Sequence, residues 1–156
     1  MKLDLIAGAR PNFMKIAPII DAIKEAQNFG KKIEYRLIHT GQHYDKNMSG
    51  NFFDQLGIPY PNVNLEAGAK TQSEQTSKIM IGYESLLIKD KPDICIVVGD
   101  VTSTMACSIV AKKMGIKVAH IEGGIRSWDL SMPEEINRMV TDSISDYFFT
   151  TSESAS

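Results

Sequence analysis

A chain of 156 residues, 43% hydrophobic and 23% charged, has the length and balance of one globular domain with a sizeable core. Its formal net charge of -2 argues against a nucleic-acid binder. No apolar run approaches the length that spans a bilayer, and the start MKLDLIAGARPN lacks the layout of a signal peptide, so a cytoplasmic protein is the expectation.

Strand-like and helix-like patterns alternate along the chain. Leu3 to Ala7 is a short apolar run that ends at Gly8. Pro11 suits the first turn of a helix, and Met14, Ile16, Ile19, Ile20 and Ile23 then recur at helical spacing. Pro18 inside that pattern predicts a kink or an early break. Lys32 to His39 reads as a second strand, and Met48 to Leu56 as a short helix with Phe52, Phe53 and Leu56 on one face. Gly57 to Pro61 breaks it, and Val63 to Leu65 is a short third strand. Thr71 to Lys89 is a longer helix whose buried stripe is Ile79, Met80, Tyr83, Leu86 and Leu87.

Ile94 to Val98 is a continuous apolar run, the pattern of a strand covered on both faces. A helix from Ser103 to Met114, a strand from Lys117 to Ile121, a helix from Pro133 to Ser145 and a strand from Tyr147 to Thr150 complete the series. Such alternation predicts an α/β domain over 1–156 with a doubly wound parallel sheet, whose ligand crevice lies at the carboxyl ends of the strands. Cys95 and Cys107 fit neither a zinc knuckle nor a redox pair, so they read as buried free thiols.

The chemistry-bearing residues fall where strands end or helices begin. Asp100, Glu122 and Glu134 are carboxylates at such positions, and close acids drive each other's pKa values apart, which suits proton transfer. Each also has a plain structural role open to it. Asp100 can cap the following helix, a common task for Asp. Glu122 can pair with Arg126. Glu134 and Glu135 can simply complement a helix dipole. Gly8 to Lys15 forms a tight strand-to-helix turn in which Arg10 and Lys15 either hold an anion or remain solvated. That turn is neither G-x-G-x-x-G nor a P-loop, so neither a nicotinamide cofactor nor ATP is indicated. His120 reads as a core histidine, and His39 and His43 lack partners for a metal site, so no metal is expected.

Together the blocks GARPNFMKIAPI, HTGQHYDKNMS with FF-x-x-LGIP, EQTSKIM, PDICIVVGDVTST, and HIEGGIRSWD through MPEEINR are more specific than any one alone. In order, from Lys2 to Ser154, they resemble the non-hydrolysing UDP-N-acetylglucosamine 2-epimerases. The resemblance implies a GT-B-type architecture of two Rossmann-like domains, of which this chain matches the N-terminal one. It places catalytic carboxylates at Asp100, Glu122 and Glu134, substrate contacts at Arg10 and Lys15, and a regulatory UDP-sugar contact at Gln42 and His43. Ala9 stands where the family usually carries threonine, which removes a hydroxyl from that turn.

The implied reaction interconverts UDP-N-acetylglucosamine and UDP-N-acetylmannosamine through 2-acetamidoglucal, without a cofactor, in surface polysaccharide synthesis. The implied partners are a UDP-sugar and a second copy of the chain, with neither nucleic acid nor membrane. The C-terminal domain would supply much of the nucleotide grip, so the isolated chain is expected to be inactive. A hydrolysing relative, an epimerase of another UDP-2-acetamido sugar, and a non-catalytic dimerisation or binding module remain alternatives.

Overall fold

The computed structural model describes residues 1–42 and 50–151. Its elements run β1 (Lys2–Ala7), α1 (Arg10–Asn28), β2 (Glu34–His39), α2 (Gly50–Leu56), β3 (Val63–Asn64), α3 (Gln72–Lys89), β4 (Ile94–Val98), α4 (Thr102–Lys113), β5 (Lys117–Ile121), α5 (Pro133–Ile144) and β6 (Tyr147–Phe149). Among the described residues six strands form one sheet in the order β3-β2-β1-β4-β5-β6, with every described pairing parallel. This is the predicted doubly wound, Rossmann-like α/β fold. The chain steps outward from β1 in one direction, returns to β4 beside β1, and steps outward in the other. The turns after β1 and β4 therefore diverge and open a crevice at the carboxyl edge.

Strand periodicity divides the core in two. Leu3, Leu5 and Ala7 of β1, with Ile94, Ile96 and Val98 of β4, pack against Phe13, Ile16 and Ile20 of α1 and Phe52 and Phe53 of α2. The intervening Ile6, Cys95 and Val97 face Ile79, Tyr83 and Leu87 of α3 and Ala106 and Val110 of α4. Adjacent strand residues point to opposite faces, so an unbroken apolar run serves both layers. Phe13 anchors the first layer edge-on, with its ring centroid 5.2 Å from Phe53 and 5.2 Å from His39.

Pro18 does not end α1, contrary to the break its presence suggested; the helix runs through it to Asn28. Pro18 is exposed, and so is Met14 one turn earlier, so water can replace the bond that proline cannot donate. Burial pushes the Cys95 thiol up to about 12 and Cys107 well above its ordinary value, as expected of inert core thiols. No described helix is long and apolar enough to cross a membrane.

One charged group lies within the second layer. Asp4 of β1 is fully buried and stands beside Arg36 of β2 in register. Arg36 Nε and Nη2 donate to its two oxygens at 2.8 and 2.9 Å, and the Tyr83 hydroxyl donates to it at 2.9 Å. A fork of this kind satisfies a carboxylate that would otherwise be too costly to bury. Arg36→Met should lower unfolding stability by about 3–5 kcal/mol, because it leaves the buried Asp4 charge unpaired. Tyr83→Phe should cost only about 1 kcal/mol, for the loss of one hydrogen bond. Urea unfolding of the two variants tests this order.

Candidate functional site

The crevice is assembled from turns at the carboxyl edge of the sheet. After β1, Asn12 Oδ1 accepts from the backbone N–H groups of Gly8 and Ala9 at 2.9 and 3.0 Å, which binds the turn to the first turn of α1. Gly8 is required by close approach: a Cβ there would lie 2.7 Å from Gln42 Oε1 and 2.9 Å from Ser103 Cβ. Three segments meet at this point. Ser103 N–H donates to Gln42 Oε1 at 2.9 Å, the Ser103 hydroxyl also bonds that oxygen, and the Thr40 and Ser103 hydroxyls share a hydrogen bond of 2.6 Å. The turn after β2 is thereby bonded to the N-terminus of α4, with Gly8 of the β1 turn packed closely against both.

The two cations of the β1 turn part company. Lys15 Nζ forms an ion pair with Glu122 Oε1, joining α1 to the turn after β5. Arg10 is exposed, with its guanidinium 4.9 Å from the centre of the Phe52 ring. The expected pairing of Glu122 with Arg126 is thus replaced by one with Lys15, and Arg126 Nη1 instead donates to Asp142 at 2.6 Å. Glu122 has a φ of +66°, in the left-handed region that side chains other than Gly or Asn seldom adopt.

Asp100 is not a helix cap. Val101 occupies that position of α4, without a side-chain cap, and Asp100 Oδ2 pairs with Arg138 Nη2 of α5. Asn137 Nδ2 donates to the Asp100 carbonyl at 2.9 Å, so the same helix holds both ends of this residue. Arg138 also lies 3.4 Å from Oε1 of Glu135. Glu135 Oε2 accepts from the backbone N–H groups of Ser127, at 2.8 Å, and Trp128, and so ties the loop before α5 to the helix. Burial works to raise the Glu135 carboxyl, but these donors prevail and hold it below its ordinary range.

Glu134 is exposed and lines a cavity of about 290 Å³ with Gln42, Thr71, Gln75, Thr102 and Asn137. Gln42 and Glu134 therefore line one cavity; Asp100 directly precedes Val101 and Thr102 of its lining, whereas the turn that carries Glu122 contributes none of the lining residues. His43 lies outside the described residues. His120 is fully buried with both ring nitrogens partnered, as a core histidine should be. Among the described residues no group of three or more His, Cys, Asp or Glu side chains is placed to hold a metal ion.

The sequence leaves Asn137, Arg138 and Asp142 open either as surface residues or as partners of the site, and offers Glu135 only as a complement to the helix dipole; in the structure Glu135, Arg138 and Asp142 all bond to the turns or to one another. Their signal was the spacing i, i+3, i+7, which stripes one face of α5. On this helix the usual rule is inverted. Glu135, Asn137 and Thr141 are buried, while Ile136 and Met139 are exposed.

Gly8→Ala should lower stability by about 1–3 kcal/mol through overpacking against Ser103 and Gln42, which thermal unfolding measures. A pH effect follows from Asp142. Burial raises its pKa, but Arg126, His120 and the Gly124 N–H together hold it below the ordinary carboxylate value. A depressed folded-state pKa adds stability above the unfolded value of about 3.9, and loses it as pH falls through the folded one. The gap in melting temperature between the wild type and Asp142→Asn should therefore narrow on acidification below about pH 4.

Comparison with known proteins supplies the context for this edge. The family model for UDP-N-acetylglucosamine 2-epimerase matches residues 24–156. A UDP-N-acetylglucosamine 2-epimerase of Methanocaldococcus jannaschii is 46% identical over 155 residues, covering 99% of this chain and 41% of that protein. A UDP-2,3-diacetamido-2,3-dideoxy-D-glucuronate 2-epimerase of Pseudomonas aeruginosa is 44% identical over 149 residues, covering 96% of this chain and 41% of that protein. The crystal structure of the M. jannaschii UDP-GlcNAc 2-epimerase in complex with UDP-GlcNAc and UDP superposes with a TM-score of 0.92, over 99% of this chain and 41% of that one. The chain thus spans about 41% of the length of these relatives. Sequence match and fold agree that it belongs to the UDP-N-acetylglucosamine 2-epimerase family.

Proposed function

We propose that this chain is the N-terminal Rossmann-like half of a GT-B-type, cytoplasmic UDP-N-acetylglucosamine 2-epimerase, which works as a homodimer in polysaccharide synthesis. The observation that carries the reading is the arrangement of Asp100 and Glu122 on turns at the carboxyl edge of a family-matched doubly wound sheet, each paired with a cation from a helix.

The chemistry sets the requirements. The hydrogen on C2 of the sugar is barely acidic, so its removal must accompany departure of UDP from C1. A base takes the proton, the C–H electron pair becomes the C1–C2 double bond of 2-acetamidoglucal, and UDP leaves with the C1–O pair. Re-addition returns UDP to C1 and a proton to the opposite face of C2. Proton-handling groups on both faces, or one that moves, are needed. Asp100, Glu122 and Glu134 are the assigned carboxylates, and Lys15 and Arg10 the cations that meet the departing diphosphate. The oxidation level at the end equals that at the start, so no redox cofactor is required.

The regulatory reading of Gln42 and His43 rests on the resemblance. Gln42 lines the cavity beside Glu134, but its Oε1 is held by Ser103, so ligand contact would come from its other atoms. A second substrate reading is favoured by the similarity to the P. aeruginosa enzyme: a UDP-2,3-diacetamido uronic acid in place of UDP-N-acetylglucosamine. The missing length of the relatives would complete the cleft, so this chain alone should lack activity.

Proton NMR of UDP-N-acetylglucosamine with the full-length protein in D₂O tests the proposal. UDP-N-acetylmannosamine carrying deuterium at C2 is the expected result. Free N-acetylmannosamine with UDP would identify a hydrolysing enzyme instead, and an unchanged spectrum would exclude this substrate. Glu122→Gln should cut turnover by about 10²–10⁴-fold with a melting temperature close to wild type. Turnover near the wild-type value would remove Glu122 from the mechanism.

A further inference from the structure

A single buried imidazole stands between the two carboxylate-bearing turns. His120, on β5, has no exposed surface. Its Nε2 donates to the Gly99 carbonyl at 2.7 Å, and Gly99 immediately precedes Asp100. Its Nδ1 lies 2.7 Å from Asp142 Oδ1. The other oxygen of Asp142 accepts from the backbone N–H of Gly124 at 2.9 Å and from Arg126 Nη1 at 2.6 Å, both in the turn that begins at Glu122. Gly123 lies against the pair: a Cβ there would be 3.1 Å from Asp142 Oδ1 and 3.3 Å from His120 Nδ1.

We infer that His120 and Asp142 form a clasp that sets Asp100 and Glu122 in fixed relation to one another. The inference rests on the reading of those two acids as the proton-handling groups. His120 and Asp142 are positioning residues, since neither needs to touch substrate.

The hydrogen-bond inventory gives the clasp its rigidity. A backbone carbonyl only accepts, so Nε2 carries a hydrogen. Nδ1 faces a carboxylate oxygen, so one proton lies between them as well. Both ends of the ring are thereby engaged, and it cannot turn without breaking a buried bond. The turns need such restraint. Gly99 has a φ of +73° and Glu122 a φ of +66°, and the second costs of order 1–3 kcal/mol unless its surroundings enforce it. Sheet bonds fix only the turn bases: Gly99 N–H donates to the Ile121 carbonyl at 3.0 Å, and Glu122 N–H to Phe149 at 2.8 Å. The clasp adds the link across the turns. Proton transfer is sensitive to that link, because a misplacement of about 1 Å can cost about 10²-fold in rate.

The amide side chains divide the clasp in two. In His120→Gln the amide nitrogen can replace Nε2 and keep the Gly99 contact, while the Asp142 contact is lost. In His120→Asn it can replace Nδ1 and keep Asp142, while Gly99 is lost. With the full-length protein, both variants should lower kcat by about 10²-fold, with KM changed less than about 3-fold, when rates are referred to the fraction that binds UDP-sugar. A merely structural histidine would lower the melting temperature and the binding fraction, but leave kcat per binding site at the wild-type value; that result in both variants overturns the inference. If neither histidine variant folds, Asp142→Asn decides the matter by the same kcat criterion. Asp100→Asn and Glu122→Gln run alongside. Full turnover in those two would overturn the carboxylate reading itself. Their inactivity beside fully active His120 variants would overturn the clasp alone.

Discussion

The structure depends on ion pairs that hold the carboxylates at one edge of the sheet. Each joins a helix to a strand-end turn. Lys15 of α1 meets Glu122 after β5, Arg138 of α5 meets Asp100 after β4, and Arg126 meets Asp142. These contacts balance charge and also tie the layers together where the sheet ladder has ended. Helix α5 has the largest part in this. It presents polar side chains inward and leaves Ile136 and Met139 in solvent, the reverse of an ordinary covering helix.

The Asp4–Arg36–Tyr83 cluster shows that a buried charge alone does not mark a site. The Asp4 carboxylate is fully buried and has three donors, two from Arg36 and one from Tyr83. The edge acids differ in kind. Asp100 and Glu122 are only partly buried, and Glu134 lines a cavity. Such groups retain access to a ligand, whereas Asp4 has exchanged access for stability.

Most of the fold could be read from periodicity. The run from Ile94 to Val98 announces a doubly covered strand because its alternate side chains serve two layers. The helical stripe of α3 needed only the recurrence of Ile79, Tyr83 and Leu87. What could not be read were partners distant in sequence. Local rules made Asp100 a cap and paired Glu122 with Arg126, since capping and short-range ion pairs are the contacts that spacing reveals. Lys15 and Glu122 are far apart along the chain, and only the parallel crossover brings them together. The early break at Pro18 failed for a related reason: proline's cost depends on whether water reaches the carbonyl it leaves unpaired, which spacing does not express.

If the edge carboxylates handle the C2 proton, they must face the reacting carbon in the bound complex. A structure of the full-length protein with UDP-N-acetylglucosamine bound measures this most directly. The expected result is C2 of the sugar against the turns after β4 and β5, with a carboxylate oxygen of Asp100 or Glu122 within about 3 Å of the C2 hydrogen, and the diphosphate near Lys15. A sugar bound with C2 turned away from both acids, and the Lys15–Glu122 and Asp100–Arg138 pairs untouched by ligand, would contradict it.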